Sequence, residues 1–455
     1  MTCSEKMGSF YSGITCQDIP PHVMKKARLT LFDFLCVLRL GAKYTVINPI
    51  IKRYLVSLEH PEKYTVLGLK MKSSLEHAVL GMSVVSHGVE LDDGHLSSAT
   101  HPAVAVIPAA LAMAEKCHSN LRDLLVSIVV GYDCMIRFAK AINPKHLSLG
   151  FHSTSTCGTL GAACAAGWLL GLDSEQLSHA LGIAALQSAG LQEMLHENAS
   201  IKPFQVGKSS SAGIIAAELA ALGSKSPSKV FEGQYGWFNA MSNNDYRETD
   251  LWDRLGKHWM IMDTYVKLYP SCRYAHAAID SALELYDEGY RMSNVKNVKL
   301  YLFQQGINEV GVFKVPSQYE DALFSVAYSI AIAFQYGKVR IEEIASNLQN
   351  TRILEFADNI DIISDKQMTD SFPREAGSRI IFEDDNGNIV VRENKRARAD
   401  FDTPLTDEEY LLKAAQILEN VVHRKYIDVL WEKVVLSDQK MDVKEIIELM
   451  NEMGA

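Results

Sequence analysis

Residues 157–170 are dominated by glycine and alanine: Gly158, Gly161 and Gly167 stand among four alanines. Side chains this small let neighbouring helices come close, so the run predicts a central helix packed on all sides. A helix of that kind needs a shell of other helices, and the flanking sequence supplies them. Pro20-Pro21 opens a run in which Val23, Ala27, Leu31 and Phe34 recur at helical spacing, and residues 75–90 and 103–116 repeat the pattern. Residues 121–142 follow and stop at Asn143-Pro144. Asp173 with Gln176 reads as a capping pair for a helix over 175–191. A further helix runs from Gly207 to a C-cap at Gly223.

Past Tyr265 the pattern changes. A helix over 274–290 precedes Val298-Lys-Leu300-Tyr-Leu302, which alternates as a half-buried strand does. Ile360-Asp-Ile362 reads as a weaker strand, and 378–382 and 389–392 flank the turn Asp385-Asn-Gly387-Asn as a hairpin. Thr406 and Glu409 form a capping box that opens a helical tail. The expected fold is mainly α. A large helical domain draws on both chain ends, residues 1–262 and 398–455, and a smaller α/β domain covers 263–397.

Three segments break the apolar helices with polar groups. They are Glu90-Leu-Asp-Asp-Gly-His95-Leu-Ser-Ser-Ala-Thr-His101-Pro102, Gly150-Phe-His152-Ser-Thr-Ser-Thr-Cys-Gly158, and Lys202-Pro-Phe-Gln-Val-Gly207-Lys208. Polar groups in such surroundings are costly unless they are paired or used, so the segments predict a buried, cation-lined pocket. The 455 residues are 47% hydrophobic and 22% charged, with a formal net charge of −10. That balance argues against a general nucleic-acid binder, and a locally basic pocket in an acidic protein favours small anions. The eight cysteines include no pair at two-residue spacing, which fits free thiols in a reducing compartment. No leader pattern and no run of membrane-spanning length is legible, so a cytoplasmic protein without a membrane partner is expected.

The segments 87–102, 150–161, 202–208, 231–238 and 267–276 together resemble the MmgE/PrpD family, which includes 2-methylcitrate dehydratase, cis-aconitate decarboxylase and iminodisuccinate epimerase. The resemblance implies a large helical domain, a smaller α/β lid, a homodimer, and chemistry without metal or organic cofactor in a cleft between the domains. It implies His101, His152, Lys202 and Lys267 as the catalytic set, with Glu90, Asp93, Arg273, His276 and Lys208 on the substrate. Three positions depart from the family pattern. Glu90 replaces an Asp, Gly94 replaces a Thr, and Leu323 replaces a Lys.

Such a site would act on small di- and tricarboxylates. Breaking a bond to a carbon beside a carboxylate leaves negative charge that lysines and a protonated histidine can stabilise, with Arg273 as a further clamp. His101 and His152 would serve as the acid–base pair. Dehydration of a 2-methylcitrate-like hydroxy acid is the first expectation. Decarboxylation of cis-aconitate, epimerisation of an amino-dicarboxylate, and a carboxylate-binding relative without activity are the alternatives. Asp92, Asp93 and His95 admit a divalent-metal site, ranked below a polar helix end. His87, His146, His179 and His196 read as structural histidines.

Overall fold

The computed structural model describes residues 1–45, 47–58, 61–195, 199–438 and 440–453; His196 lies outside them. The small-residue run forms the middle of the molecule. In chain order the helices that matter are α1 (Pro21–Tyr44), α2 (Leu75–His87), α3 (Pro102–Cys117), α4 (Leu121–Ile142), α5 (Ser153–Leu169), α6 (Ser174–Leu186) and α7 (Lys202–Ala221). Helix α5 packs against α3, α4, α6 and α7, and its residues 153–167 are all buried. Close approach is what the glycines make possible. A Cβ on Gly161 would stand 2.7 Å from Met135 Cβ and 2.9 Å from the Gly131 carbonyl of α4. Tight packing of this kind leaves no room to relax around an added methyl.

Helix α6 opens with the expected Asp173–Gln176 capping box but stops at Leu186. The next residues turn back to meet α5, where Ala189 and Gly190 accept from Ser155 Oγ (2.6 Å) and the His152 amide (3.0 Å). Helix α7 begins at Lys202, ahead of the expected Gly207, because Pro203 in its first turn suits a helix start. A short hairpin, β1 (Tyr64–Val66) with β2 (Met71–Ser73), interrupts the otherwise helical first half. Its three-residue strands are too short to show a period in sequence.

The second part carries a four-stranded sheet ordered β4 (Asp361–Ser364), β3 (Val295–Leu302), β5 (Ser378–Asp384), β6 (Ile389–Asn394). Strand β3 is parallel to β4 and antiparallel to β5, and β5–β6 is the hairpin read from sequence. Helix α8 (His276–Asp287) covers β5 and β6, and α9 (Val326–Tyr336) packs on α8. Short helices between β3 and β4, such as Gln304–Val310 and Tyr319–Ala322, were not expected. The C-terminal helices return to the first half: Lys413 Nζ meets Asp33 Oδ1 of α1 at 2.6 Å, and Arg28 donates to the Val434 carbonyl at 2.6 Å. Among the described residues, no single helix is long and apolar enough to cross a membrane.

Candidate active site

The chain leaves α2 at His87 and passes through Glu90 with φ of +51°. A non-glycine residue in that region costs roughly 1–2 kcal/mol, so something must hold it there. Two lysines do. Lys267 Nζ lies 2.9 Å from Glu90 Oε2, and Lys202 Nζ, at the start of α7, is hydrogen-bonded to Oε1. Lys267 is completely buried. Asp92 forms a second centre. Its Oδ2 is 2.9 Å from His87 Nδ1 and 3.3 Å from His101 Nδ1, and its Oδ1 is 3.9 Å from Lys267 Nζ. His101 Nδ1 also lies 2.7 Å from the Asp93 carbonyl, which it serves as an N–H donor. His152, just ahead of α5, has its ring 6.4 Å from that of His87 in a stacked arrangement, and His87 is 5.6 Å from His101. Three imidazoles, two ammonium groups and two carboxylates thus share one polar core.

Burial decides the charge states. It pushes His101 down to about 4 and His152 down to about 3, with the neighbouring imidazoles adding to the effect on His152. Both rings are therefore neutral at pH 7 in the ligand-free site, contrary to the protonated histidine expected from sequence. Burial alone would raise Asp92, but His87, His101 and Lys267 overcome it and hold the carboxyl well below the usual range. Lys267 is lowered by burial and supported by Asp92. Burial and then the Lys267 charge press Lys202 down to about 7, with Cys272 and Glu309 working the other way.

The residues face a cleft whose walls include Glu90, His101, His152, Lys202, Arg273 and Phe324. Lys267 sits one layer beneath, reaching the cleft through Glu90 and Asp92. The other residues singled out in sequence lie elsewhere. Asp93 turns away from the cleft: Oδ1 accepts from the Ala103 amide of α3 at 3.0 Å and Oδ2 from the Tyr132 hydroxyl at 3.0 Å. His276 packs on Tyr269, its Nε2 is 3.3 Å from the Ser271 carbonyl, and it does not line the cleft. Lys208 is exposed on α7. Arg273 reaches the cleft wall, but its guanidinium already serves the Arg398 and Ala397 carbonyls at 3.0 and 3.2 Å and lies 3.4 Å from Asp400.

Two members of the core are not in the set expected from sequence: His87 reads there as structural and Asp92 as a helix-end group or metal ligand. Their five-residue separation across a helix end is the signal that could have paired them. The metal alternative fails on direction, because Asp92 serves His87 and His101, Asp93 caps α3, and His95 Nδ1 is 2.9 Å from Ser98 Oγ. Gly94 has a packing reason: a Cβ there would lie 2.2 Å from the Tyr265 hydroxyl, and the two backbones exchange hydrogen bonds.

Residues 5–249 match the MmgE/PrpD N-terminal domain, and residues 269–435 match the MmgE/PrpD C-terminal domain. A cis-aconitate decarboxylase of Aspergillus terreus is 25% identical over 468 residues, spanning 97% of this chain and 94% of the relative. A cis-aconitate decarboxylase-like protein of Aspergillus oryzae is 26% identical, spanning 95% and 94%. The cis-aconitate decarboxylase of Homo sapiens is 28% identical over 293 residues, 61% of this chain and 58% of its own length. Matched by both family domains in their order along the chain, the protein belongs to the MmgE/PrpD family.

Proposed function

We propose that this protein is a lyase acting on small polycarboxylates, and that it decarboxylates an unsaturated tricarboxylate of the cis-aconitate type. The observation that carries the reading is Lys202 and Lys267 meeting on Glu90 directly beside His101 and His152. A substrate carboxylate competes with Glu90 for Lys202, while Lys267 keeps Glu90 from becoming an unpaired buried charge. Anionic substrate next to His101 and His152 raises both, so one imidazole takes up a proton as the substrate binds.

The bond between a carboxyl carbon and its neighbour then breaks, and carbon dioxide leaves. Its electron pair spreads into the adjoining unsaturated carboxylate, where the Lys202 ammonium stabilises it. The protonated imidazole delivers its proton to the substrate carbon, and solvent restores it. His101 and His152 are the candidates for this donor. Asp92 positions His101 and steadies its charged form.

From sequence, dehydration is the first expectation. Relatives of nearly the same length carry decarboxylase names, and that favours the other order. The test is proton NMR of metal-free protein in D2O with citrate, 2-methylcitrate, cis-aconitate and iminodisuccinate separately. Carbon dioxide release from cis-aconitate with one deuterium in the product supports the proposal. New vinyl signals from 2-methylcitrate would replace it with dehydration, deuterium exchange without bond loss with epimerisation, and silence throughout with a binding protein.

A further inference from the structure

We propose that the catalytic cleft opens into a second chamber that receives an apolar arm of the substrate; the inference deepens the decarboxylase reading and rests on the same site. Glu90, Leu195, Lys202 and Phe324 line both spaces, so the two adjoin at the Glu90–Lys202 pair. The second chamber's described walls expose mainly apolar surface, from Ile47, Met194, Phe313, Leu323 and Phe324, with the Glu320 and Asp321 carboxylates among their polar members.

The chamber is built into the active site. The Leu323 carbonyl accepts from the Cys272 amide at 2.9 Å and from Ser271 Oγ at 3.0 Å, which ties the Tyr319–Ala322 turn to the segment carrying Lys267. Leu323 itself is 3% exposed, and Lys202 Nζ stands 4.9 Å over the Phe324 ring. An arm leaving the reacting carbons therefore passes Lys202 and meets hydrocarbon. Thr45 and His87 are among the residues around this space, and Thr45 Oγ1 and His87 Nε2 are buried without a hydrogen-bond partner. Buried polar atoms seldom stay unpaired, so these two mark where the arm carries a hydroxyl or carboxyl group. With Nδ1 bonded to Asp92, neutral His87 offers Nε2 as an acceptor. The ligand class is thus a polycarboxylate bearing a branch of several carbons, with one hydrogen-bonding group on it.

Binding to unreactive analogues tests this apart from catalysis. Calorimetry would compare tricarballylate with tricarballylate carrying a butyl branch and with the same branch ending in a hydroxyl. The expected result is at least tenfold tighter binding of the butyl analogue, with a further gain from the hydroxyl that Thr45→Val removes. Leu323→Lys should erase the butyl advantage by placing a charge in the chamber, and Phe313→Trp, at a half-buried wall, should do so by filling it. Equal or weaker binding of the butyl analogue to the unmodified protein would overturn the proposal. Tighter binding by a protein that decarboxylates nothing would uphold the chamber and sink the decarboxylase reading.

Discussion

Glu90→Gln isolates the group on which the site is balanced. Glu90 compensates two ammonium groups, one of them completely buried, and its own carboxylate is almost wholly buried as well. Two unit charges about 4 Å apart interact by roughly 4 kcal/mol at an effective dielectric of 20. Breaking a buried pair by removing one partner costs about 3–5 kcal/mol, because the remaining charge is left uncompensated. Glutamine still accepts one hydrogen bond, and Asp92 still faces Lys267 at 3.9 Å, so the lower end, about 3 kcal/mol, is expected. In a chain of this length, by extrapolating the size trend, that corresponds to a fall of roughly 3–6 °C in melting temperature. A ligand that brings its own carboxylate should repair the loss. Thermal unfolding with and without tricarballylate is the assay, and the ligand-induced rise should be larger in the variant than in the unmodified protein. Equal melting temperatures and equal ligand shifts would refute the view of Glu90 as counter-ion to both lysines.

Further outcomes follow from the same structure. His95, His101 and His146 are pushed down to about 4 and His152 to about 3 by burial, against about 6.5 unfolded. For these groups the unfolded chain binds more protons between these values, and their contribution to stability falls as pH drops from about 6.5 through about 4, by up to roughly 1.4 kcal/mol per unit for each histidine. Asp93, raised to about 7 by burial, and the raised Asp33 and Asp280 offset part of the fall. Denaturant midpoints measured from pH 7 to 4.5 would show it, and a flat profile would contradict it. Asp93→Asn should leave turnover within about twofold, since the side chain caps α3 and faces away from the cleft; steady-state kinetics decide between that and a substrate contact. Gly161→Ala should destabilise by about 1–3 kcal/mol through overpacking against α4, read by chemical denaturation. Polyanion binding should take up protons near neutral pH, measured as a dependence of the calorimetric heat on the buffer's ionisation enthalpy.

The helical half was legible because its signals are local. The Gly/Ala run of α5, the Asn143-Pro144 stop and the Asp173–Gln176 box each act within a few residues, and each appears where sequence placed it. What sequence could not show was set by contacts between distant segments. Helix α6 stops at Leu186 and the chain turns so that Gly190 accepts from the His152 amide, and the Glu90 bridge joins residues 112 and 177 positions away. Asp92 and Asp93 are adjacent and chemically alike, yet one orients histidines and the other caps a helix. Only the fold assigns them. The same holds for protonation: histidines near neutral pH in water are neutral here because the fold removes their solvent.

The most direct test of the central claim follows cis-aconitate labelled with ¹³C at its carboxyl groups in D2O, in the unmodified protein and in folded His152→Gln. The account predicts labelled carbon dioxide and singly deuterated product from the former, and at least a hundredfold slower release from the latter, because His152 is either the donor or the imidazole packed beside the His87–His101 pair that holds it. Undiminished release from His152→Gln, or intact cis-aconitate in both, would contradict it.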